Sequence, residues 1–236
     1  MGLAFKDFER VQRLEVIESI ASGQSVLHLG CTNYPYTKEA IESDMLLHDS
    51  LQEVSGELYG FDQDRRGIEI LEKRGTKNLY EAGLERLEEV DLDRKFDVIV
   101  AGEIIEHLNN PGLFLEGIKR FMNPETKLVI TTVNAYCAMR FFVYWLRGKQ
   151  GSNEPVHPDH VAYYSYRTLS LLLQRHRLKR TRFMFYDLGV EHRPHNRWYM
   201  NMFNDLAVRL SPQLSDGIIA VCQLEDEPFE TRGVVG

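Results

Sequence analysis

Cysteine is scarce: three residues in 236, at Cys31, Cys137 and Cys222. An odd, widely spaced set among apolar neighbours excludes a disulfide framework and offers no thiolate zinc site, so a reducing cytoplasm is the expected compartment. Long hydrophobic runs are missing too. None approaches the roughly 18 to 20 apolar residues that cross a bilayer, and Lys6, Asp7, Glu9 and Arg10 near the start leave no secretion signal to read there. Positive net charge is also lacking, since 28 Lys and Arg against 35 Asp and Glu give −7. That balance disfavours wholesale nucleic-acid binding, although Arg175 to Arg182 is a local basic run. A solvated surface explains that run most simply; an RNA or acidic-substrate contact is the alternative. Repeats and low-complexity tracts are absent. Glycine is sparse where a nucleotide-binding turn would need it: the stretch from His28 to Pro35, just after a short apolar run, holds Gly30 alone.

What is present is a chain that is 43% hydrophobic and 27% charged, enough for one sizeable core with appendages. Apolar residues every three positions from Phe5 to Ile20 predict an amphipathic helix over 3–21, ended by Ser22 and Gly23. Buried-strand patterns follow at 25–29, 57–61, 78–81, 96–100 and 127–132, separated by helical patterns at 37–54, 64–74 and 112–122. This alternation predicts a doubly wound α/β fold, Rossmann-like and mostly parallel. Beyond a dense aromatic helix at 134–147 and a polar loop at 148–160 come a helix at 166–175, a strand at 178–186, a helix near 198–210 and a last strand at 217–222. The last two strands lack an obvious crossover of the earlier kind, so an antiparallel final strand is expected, seven strands in all. The expected organisation is an N-terminal helix at 1–22, one domain at 23–224 with insertions at 134–164 and 190–212 on the acceptor side, and a tail at 225–236.

In such sheets ligands bind beyond the carboxyl ends of the strands, where strand order reverses. The tips there are Gly30, Asp62 and Gly102. A dinucleotide site would want G-x-G-x-x-G and an acid about 20 residues on; neither is present, so NAD is disfavoured. The motifs instead resemble those of the class I S-adenosylmethionine-dependent methyltransferases. Val26 to Cys31 is similar to V-L-D-L-G-C, Tyr59 to Asp62 resembles the strand ending in a ribose-binding acid, and Phe96 to Leu108 resembles F-D-V-I-x-x-x-E-V-x-E-H-L, with Asn110-Pro111 following. The resemblance extends to Leu128–Asn134 and implies S-adenosylmethionine as cofactor. Its binding residues would be His28, Gly30, Cys31, Thr32, Asn33, Asp62, Gln63, Gly83, Leu84, Ala101, Gly102 and Glu103. Three departures stand out: His28 replaces the acid of the first motif, Thr32 and Asn33 replace glycines, and Ala82-Gly83 replaces a Gly-Asp pair. Asn33 tolerates left-handed backbone angles, and both replacements add side-chain donors.

Glu103, Glu106 and His107 are spaced i, i+3, i+4, so one helical turn would set them on one face beside the transferred methyl. Three readings are open. The residues cap and pack the turn before Pro111; or His107, Glu106 and His160 form a catalytic group in which a histidine removes the acceptor's proton; or a divalent metal ion is bound. The metal reading comes from resemblance: the E-x-x-E-H block with His157-Pro158-Asp159-His160 is similar to small-RNA 2′-O-methyltransferases, which implies Glu103, Glu106, His107 and His160 as ligands. Ubiquinone-pathway O-methyltransferases carry such a block too. His160 to Ser165 also resembles an element that small-molecule methyltransferases place at the acceptor pocket.

The aromatic stretch 135–147 completes a core or a contact between subunits, caps an acceptor, or touches a membrane surface with Arg140 and Arg147 at its rim. The segment 191–204, with His192 and His195, could face it across the acceptor. The function expected is methylation of an oxygen on a small or carbohydrate-like acceptor. A metal-assisted RNA 2′-O-methyltransferase and a non-catalytic S-adenosylmethionine-binding protein are the alternatives.

Overall fold

The computed structural model describes residues 9–147, 158–187, 193 and 197–225. In chain order the elements are β1 (Glu9–Val11), α1 (Arg13–Ala21), β2 (Ser25–Leu29), α2 (Thr37–Glu42), α3 (Leu47–Val54), β3 (Glu57–Asp62), α4 (Arg65–Lys73), β4 (Leu79–Glu81), β5 (Val98–Gly102), α5 (Pro111–Ile118), β6 (Lys127–Val133), α6 (Ala138–Arg147), α7 (Tyr166–Arg175), β7 (Leu178–Tyr186), α8 (Trp198–Leu210) and β8 (Gly217–Leu224). The strands form one sheet in the order β1-β7-β8-β6-β5-β2-β3-β4. All neighbours are parallel except β8, which runs antiparallel to both β6 and β7. Strand order therefore reverses between β2 and β5, and the crevice at their carboxyl ends is the expected ligand site.

Helices cover both faces because the central strands are apolar on both. Leu27, Leu29, Ile99 and Ala101 pack with Phe114, Leu115 and Ile118 of α5 and Leu169 and Leu173 of α7. On the opposite face Val26, Val98 and Val100 meet Ile17 and Ala21 of α1 and Leu51 of α3. That alternation is the period-two geometry of a strand placed between two helical layers.

The mostly parallel doubly wound fold and its antiparallel last strand match the sequence expectation, but there are eight strands among the described residues where seven were expected. The extra one is β1, inside the segment read as a helix over 3–21. Val11 pairs in parallel with Tyr186 across the sheet edge, and among the described residues of that segment the helix is Arg13–Ala21. A three-residue strand draws its stability from a partner edge that lies far along the chain. The segment 37–54 also divides into α2 and α3 at Asp44, whose φ of +54° interrupts the helix. At α4 the N-cap is Asp64, which accepts from the amides of Arg66 and Gly67; Asp62 is thereby left to the strand tip.

Candidate active site

Three strand tips stand side by side: Leu29 pairs with Phe61 on one side and Ala101 on the other. Beyond β2 the chain turns at Gly30, whose φ is +75° and whose amide bonds the Phe61 carbonyl at 2.8 Å. A side chain at Gly30 would strike Ile104, so glycine is required for the turn after β5 to close over β2. Asn33 adopts the left-handed backbone expected of it, φ +58°. Asp62 ends β3, almost buried. Its Oδ2 accepts from the Thr32 amide at 2.9 Å and the Thr32 hydroxyl at 2.8 Å, and its Oδ1 accepts from the Asp64 amide at 2.9 Å. The Ala82 amide bonds the Asp62 carbonyl at 2.8 Å, which brings Gly83 and Leu84 beside this tip. Gln63 is exposed next to it.

Not every expected cofactor residue offers its side chain. Cys31, Leu84 and Ala101 are buried among apolar neighbours, so only their backbones remain available. The Cys31 thiol is pushed up by burial and by Asp62 nearby, which makes it inert packing. His28 is a clearer departure. Its ring stacks on His48 of α3, with the two Nδ1 atoms 3.1 Å apart. Burial depresses both imidazoles, His48 to about 4. Two neutral rings sharing one hydrogen bond take the place of an acid there.

After β5 the backbone reverses at Glu103, φ +55°, and enters a single 3-10 turn over Ile105–His107. This tighter turn sends Glu103 and Glu106 to different partners, contrary to the expectation that one helical face presents both with His107. Glu103 Oε1 accepts from the Thr131 hydroxyl at 3.1 Å and from the Tyr186 hydroxyl, and Arg13 lies 3.8 Å away. The Tyr186 ring occupies the space a side chain at residue 217 would need, so Gly217 is obligatory at that approach.

Glu106 is fully buried. The Thr132 hydroxyl donates to Oε2 at 2.8 Å, while Oε1 accepts no hydrogen bond. Burial, reinforced by Glu103, pushes its carboxyl up to about 9, so without a nearby cation it is protonated at neutral pH. The segment after residue 157 is tied to this turn. The amides of Val161 and Ala162 bond the Glu106 carbonyl at 2.9 and 3.3 Å, and the His107 Nδ1 donates to the Asp159 carbonyl at 3.2 Å. A carbonyl only accepts, so His107 keeps its lone pair on Nε2. The rings of His107 and His160 meet edge to face at 4.7 Å.

Ligand atoms of Glu106, His107 and His160 all lie within 4.8 Å of one another. One carboxylate oxygen without a partner and two imidazoles make a mixed donor set that fits a divalent cation, with the His107–Asp159 bond as the outer contact that orients a ligand imidazole. Glu103, expected among the ligands, is outside this group because its carboxylate is held by Arg13, Thr131 and Tyr186. His157 lies outside the described residues, as do His192 and His195.

A family model described as a methyltransferase domain matches residues 8–179. This chain belongs to that family. With the sheet and crevice above, it is a class I S-adenosylmethionine-dependent methyltransferase. Among curated proteins it is 25% identical over 173 residues to a ubiquinone biosynthesis O-methyltransferase of Bradyrhizobium diazoefficiens, covering 68% of this chain and 62% of that protein. The match thus spans less than two thirds of the relative. Solved structures share the fold at low identity. A SAM-dependent methyltransferase from Archaeoglobus fulgidus superposes with a TM-score of 0.54 at 15% identity, covering 89% of this chain and 94% of that one. The N-methyltransferase NodS of Bradyrhizobium japonicum, in complex with S-adenosyl-L-homocysteine, gives 0.52 at 13% identity, covering 90% and 84%.

The methyltransferase site contains two groups that sequence reasoning missed, Arg13 and Tyr186. Arg13 donates through Nε to Thr131 at 3.0 Å, and its Nη2 lies 2.8 Å from where a side chain on Gly102 would begin. A guanidinium thus overlooks the tip of β5. The signal available was local: Arg13 opens α1, where the helix dipole disfavours a cation, and such a residue needs a partner elsewhere.

Away from the crevice, three of the six basic residues in the run 175–182 have side-chain partners. His176 bonds Glu116 at 2.7 Å, Arg180 reaches the Ser170 and Tyr166 hydroxyls, and Arg182 pairs with Glu9. A cavity of about 1280 Å³ between α1, β1 and α8 is likewise lined by compensated charges, with Arg193 paired to Asp205. On α6, Phe142 stacks on Phe203 of α8 at 4.1 Å, while Phe141 and Trp145 are exposed. No helix among the described residues is long and apolar enough to cross a membrane.

Proposed function

We propose that this methyltransferase transfers the methyl group of S-adenosylmethionine to a hydroxyl oxygen of a small or carbohydrate-like acceptor, with a divalent cation at Glu106, His107 and His160. The observation that carries the reading is the convergence of those three residues beside the tip of β5, with one oxygen of buried Glu106 lacking a partner. The family supports the cofactor, and the relative named as a ubiquinone biosynthesis O-methyltransferase supports oxygen as acceptor atom. The net charge of −7 weighs against the RNA reading.

The crevice suits the cofactor's parts. Asp62 at the end of β3 would accept from the ribose, Gly83 and Leu84 would flank the adenine, and Arg13 above Gly102 would hold the methionine carboxylate. Bound there, S-adenosylmethionine supplies an activated methyl whose transfer is favoured by release of a neutral thioether. The protein's share is alignment and easing the proton's release. As the acceptor oxygen bonds the methyl carbon and the carbon–sulfur bond breaks, the hydroxyl proton must leave to solvent; His107 Nε2 and the His160 imidazole, as ligands, would hold the cation against that hydroxyl rather than take its proton. A cation held by the three residues would lower the hydroxyl's pKa and orient it. Glu106, neutral without the cation, is a ligand in this scheme rather than a base.

Calorimetry with S-adenosylhomocysteine tests the cofactor site: binding to the unaltered protein is expected, with at least a tenfold loss in Asp62→Ala. Absence of binding would sink the enzyme reading. For the cation, Mn²⁺ should raise the melting temperature of the unaltered protein and leave that of His160→Ala where it was.

A further inference from the structure

Asp62 is more heavily occupied than a ribose-binding acid should be. An ionised carboxylate offers about four acceptor sites. Three are taken by the chain: Oδ2 receives the Thr32 amide and the Thr32 hydroxyl, and Oδ1 receives the Asp64 amide. One site, on Oδ1, is left for a ligand. A ribose presents two neighbouring hydroxyl donors.

The hydroxyl on Oδ2 is not easily displaced. Thr32 is fully buried, and its Cβ lies 2.5 Å from where a side chain on Gly67 would begin, so it is pressed against the first turn of α4. A glycine at residue 32 would leave Oδ2 with the backbone amide alone and one further acceptor site free.

We propose that Thr32 competes with the cofactor's ribose for Asp62, so that this chain holds the ribose by one hydroxyl instead of two and binds the cofactor more weakly than its crevice would otherwise allow. Thr32 is then an affinity-setting residue, and its contribution comes through Asp62 rather than through contact with the nucleoside. The proposal rests on the cofactor reading given above.

Two measurements with S-adenosylhomocysteine test it by calorimetry. In the first, Thr32→Ala removes the competing hydroxyl and Thr32→Ser keeps it. The alanine variant should bind about 2- to 10-fold more tightly, the range of one net hydrogen bond, and the serine variant should bind as the unaltered protein does. Equal or weaker binding by a folded Thr32→Ala overturns the proposal. The second needs no substitution and decides the matter if Thr32→Ala does not fold. The 2′-deoxy, 3′-deoxy and 2′,3′-dideoxy analogues are compared on the unaltered protein. Loss of both hydroxyls should cost no more than loss of the more important one; separate, additive losses overturn the competition. Asp62→Ala separates the two levels of argument. If it binds like the unaltered protein, the ribose reading itself falls and this proposal with it. If it loses binding while Thr32→Ala gains none, the competition alone is wrong.

Discussion

Glu103 and Glu106 are three residues apart in the same short turn, and the fold treats them in opposite ways. Glu103 is partly exposed and surrounded by donors: Arg13 from α1, Thr131 from β6 and Tyr186 from β7. Glu106 is fully buried, with the Thr132 hydroxyl on Oε2, no donor on Oε1, and the Glu103 carboxylate close enough to push it further toward the neutral acid. A carboxylate given a guanidinium and two hydroxyls is a finished structural unit. A buried carboxylate left half-satisfied is stable only as the neutral acid, or with a cation that the protein alone does not provide. The difference teaches that the two acids of this turn differ in what the fold gives them: Glu103 has donors enough for its carboxylate, and Glu106 keeps one oxygen unsatisfied, where the proposed cation would bind.

The largest effect should come from removing the open acid. Glu106→Gln keeps the shape and the Thr132 contact but cannot supply a negative oxygen, so Mn²⁺ affinity measured by calorimetry should fall at least about 100-fold. Unchanged affinity would erase the contrast. The same pair of proteins makes a pH test. The folded Glu106 carboxyl titrates near 9, above its unfolded value near 4.5, so its stabilising effect is fully present below pH about 4.5 and is lost as pH rises through 9. Without metal, the unaltered protein should therefore lose melting temperature relative to Glu106→Gln between pH 5 and pH 9, and added Mn²⁺ should reverse that loss. A constant difference across the range would show that Glu106 is not neutral in the folded state.

Effects on the finished acid should be smaller. Arg13→Ala takes the guanidinium from Glu103 and from the place proposed for the cofactor's carboxylate, and a loss of about tenfold in S-adenosylhomocysteine affinity is expected, near the worth of one charge-assisted hydrogen bond. A variant that bound as before would make Arg13 purely structural. Tyr186→Phe deletes one donor and leaves Glu103 two others. Urea unfolding should show a loss of about 1 kcal/mol, with metal affinity unmoved. If that substitution weakened Mn²⁺ binding as much as Glu106→Gln, the two acids would be one network and the contrast would dissolve.

The sheet was legible because its interior strands are continuous apolar runs between helices of helical period, a pattern carried by residue order along short segments. Val98–Gly102 and Lys127–Val133 are of this kind, and so is Gly217–Leu224, whose antiparallel direction was expected from the missing crossover. At the site, Asp62 and Gly102 were legible as residue types at strand tips, and Glu106, His107 and His160 through the resemblance of the E-x-x-E-H block and the segment His157–His160 to known motifs. Their partners were not. The bond between Tyr186 and Glu103 joins residues 83 apart, and that between Arg13 and Thr131 joins residues 118 apart; no local periodicity encodes such pairs. His28 misled for a related reason: its position in the motif pointed to the cofactor, while its ring found His48, from a helix that the sequence pattern had merged with its neighbour. The parting of Glu103 from Glu106 was hidden because residue spacing predicts an α-helical turn, and the left-handed step at Glu103 is a tertiary outcome.

The edge strand has a consequence for the order of assembly. Glu9–Val11 has β7 as its neighbour in the sheet, and within the sheet β7 meets the remainder through β8, the last strand in chain order among the described residues. A nascent chain that has reached β6 already holds Asp62 and the E-x-x-E-H turn, yet it lacks Tyr186 and has no edge on which to seat the residues just before Arg13. Completion of this end of the sheet therefore waits for β8 to leave the ribosome, when β1, β7 and β8 come together.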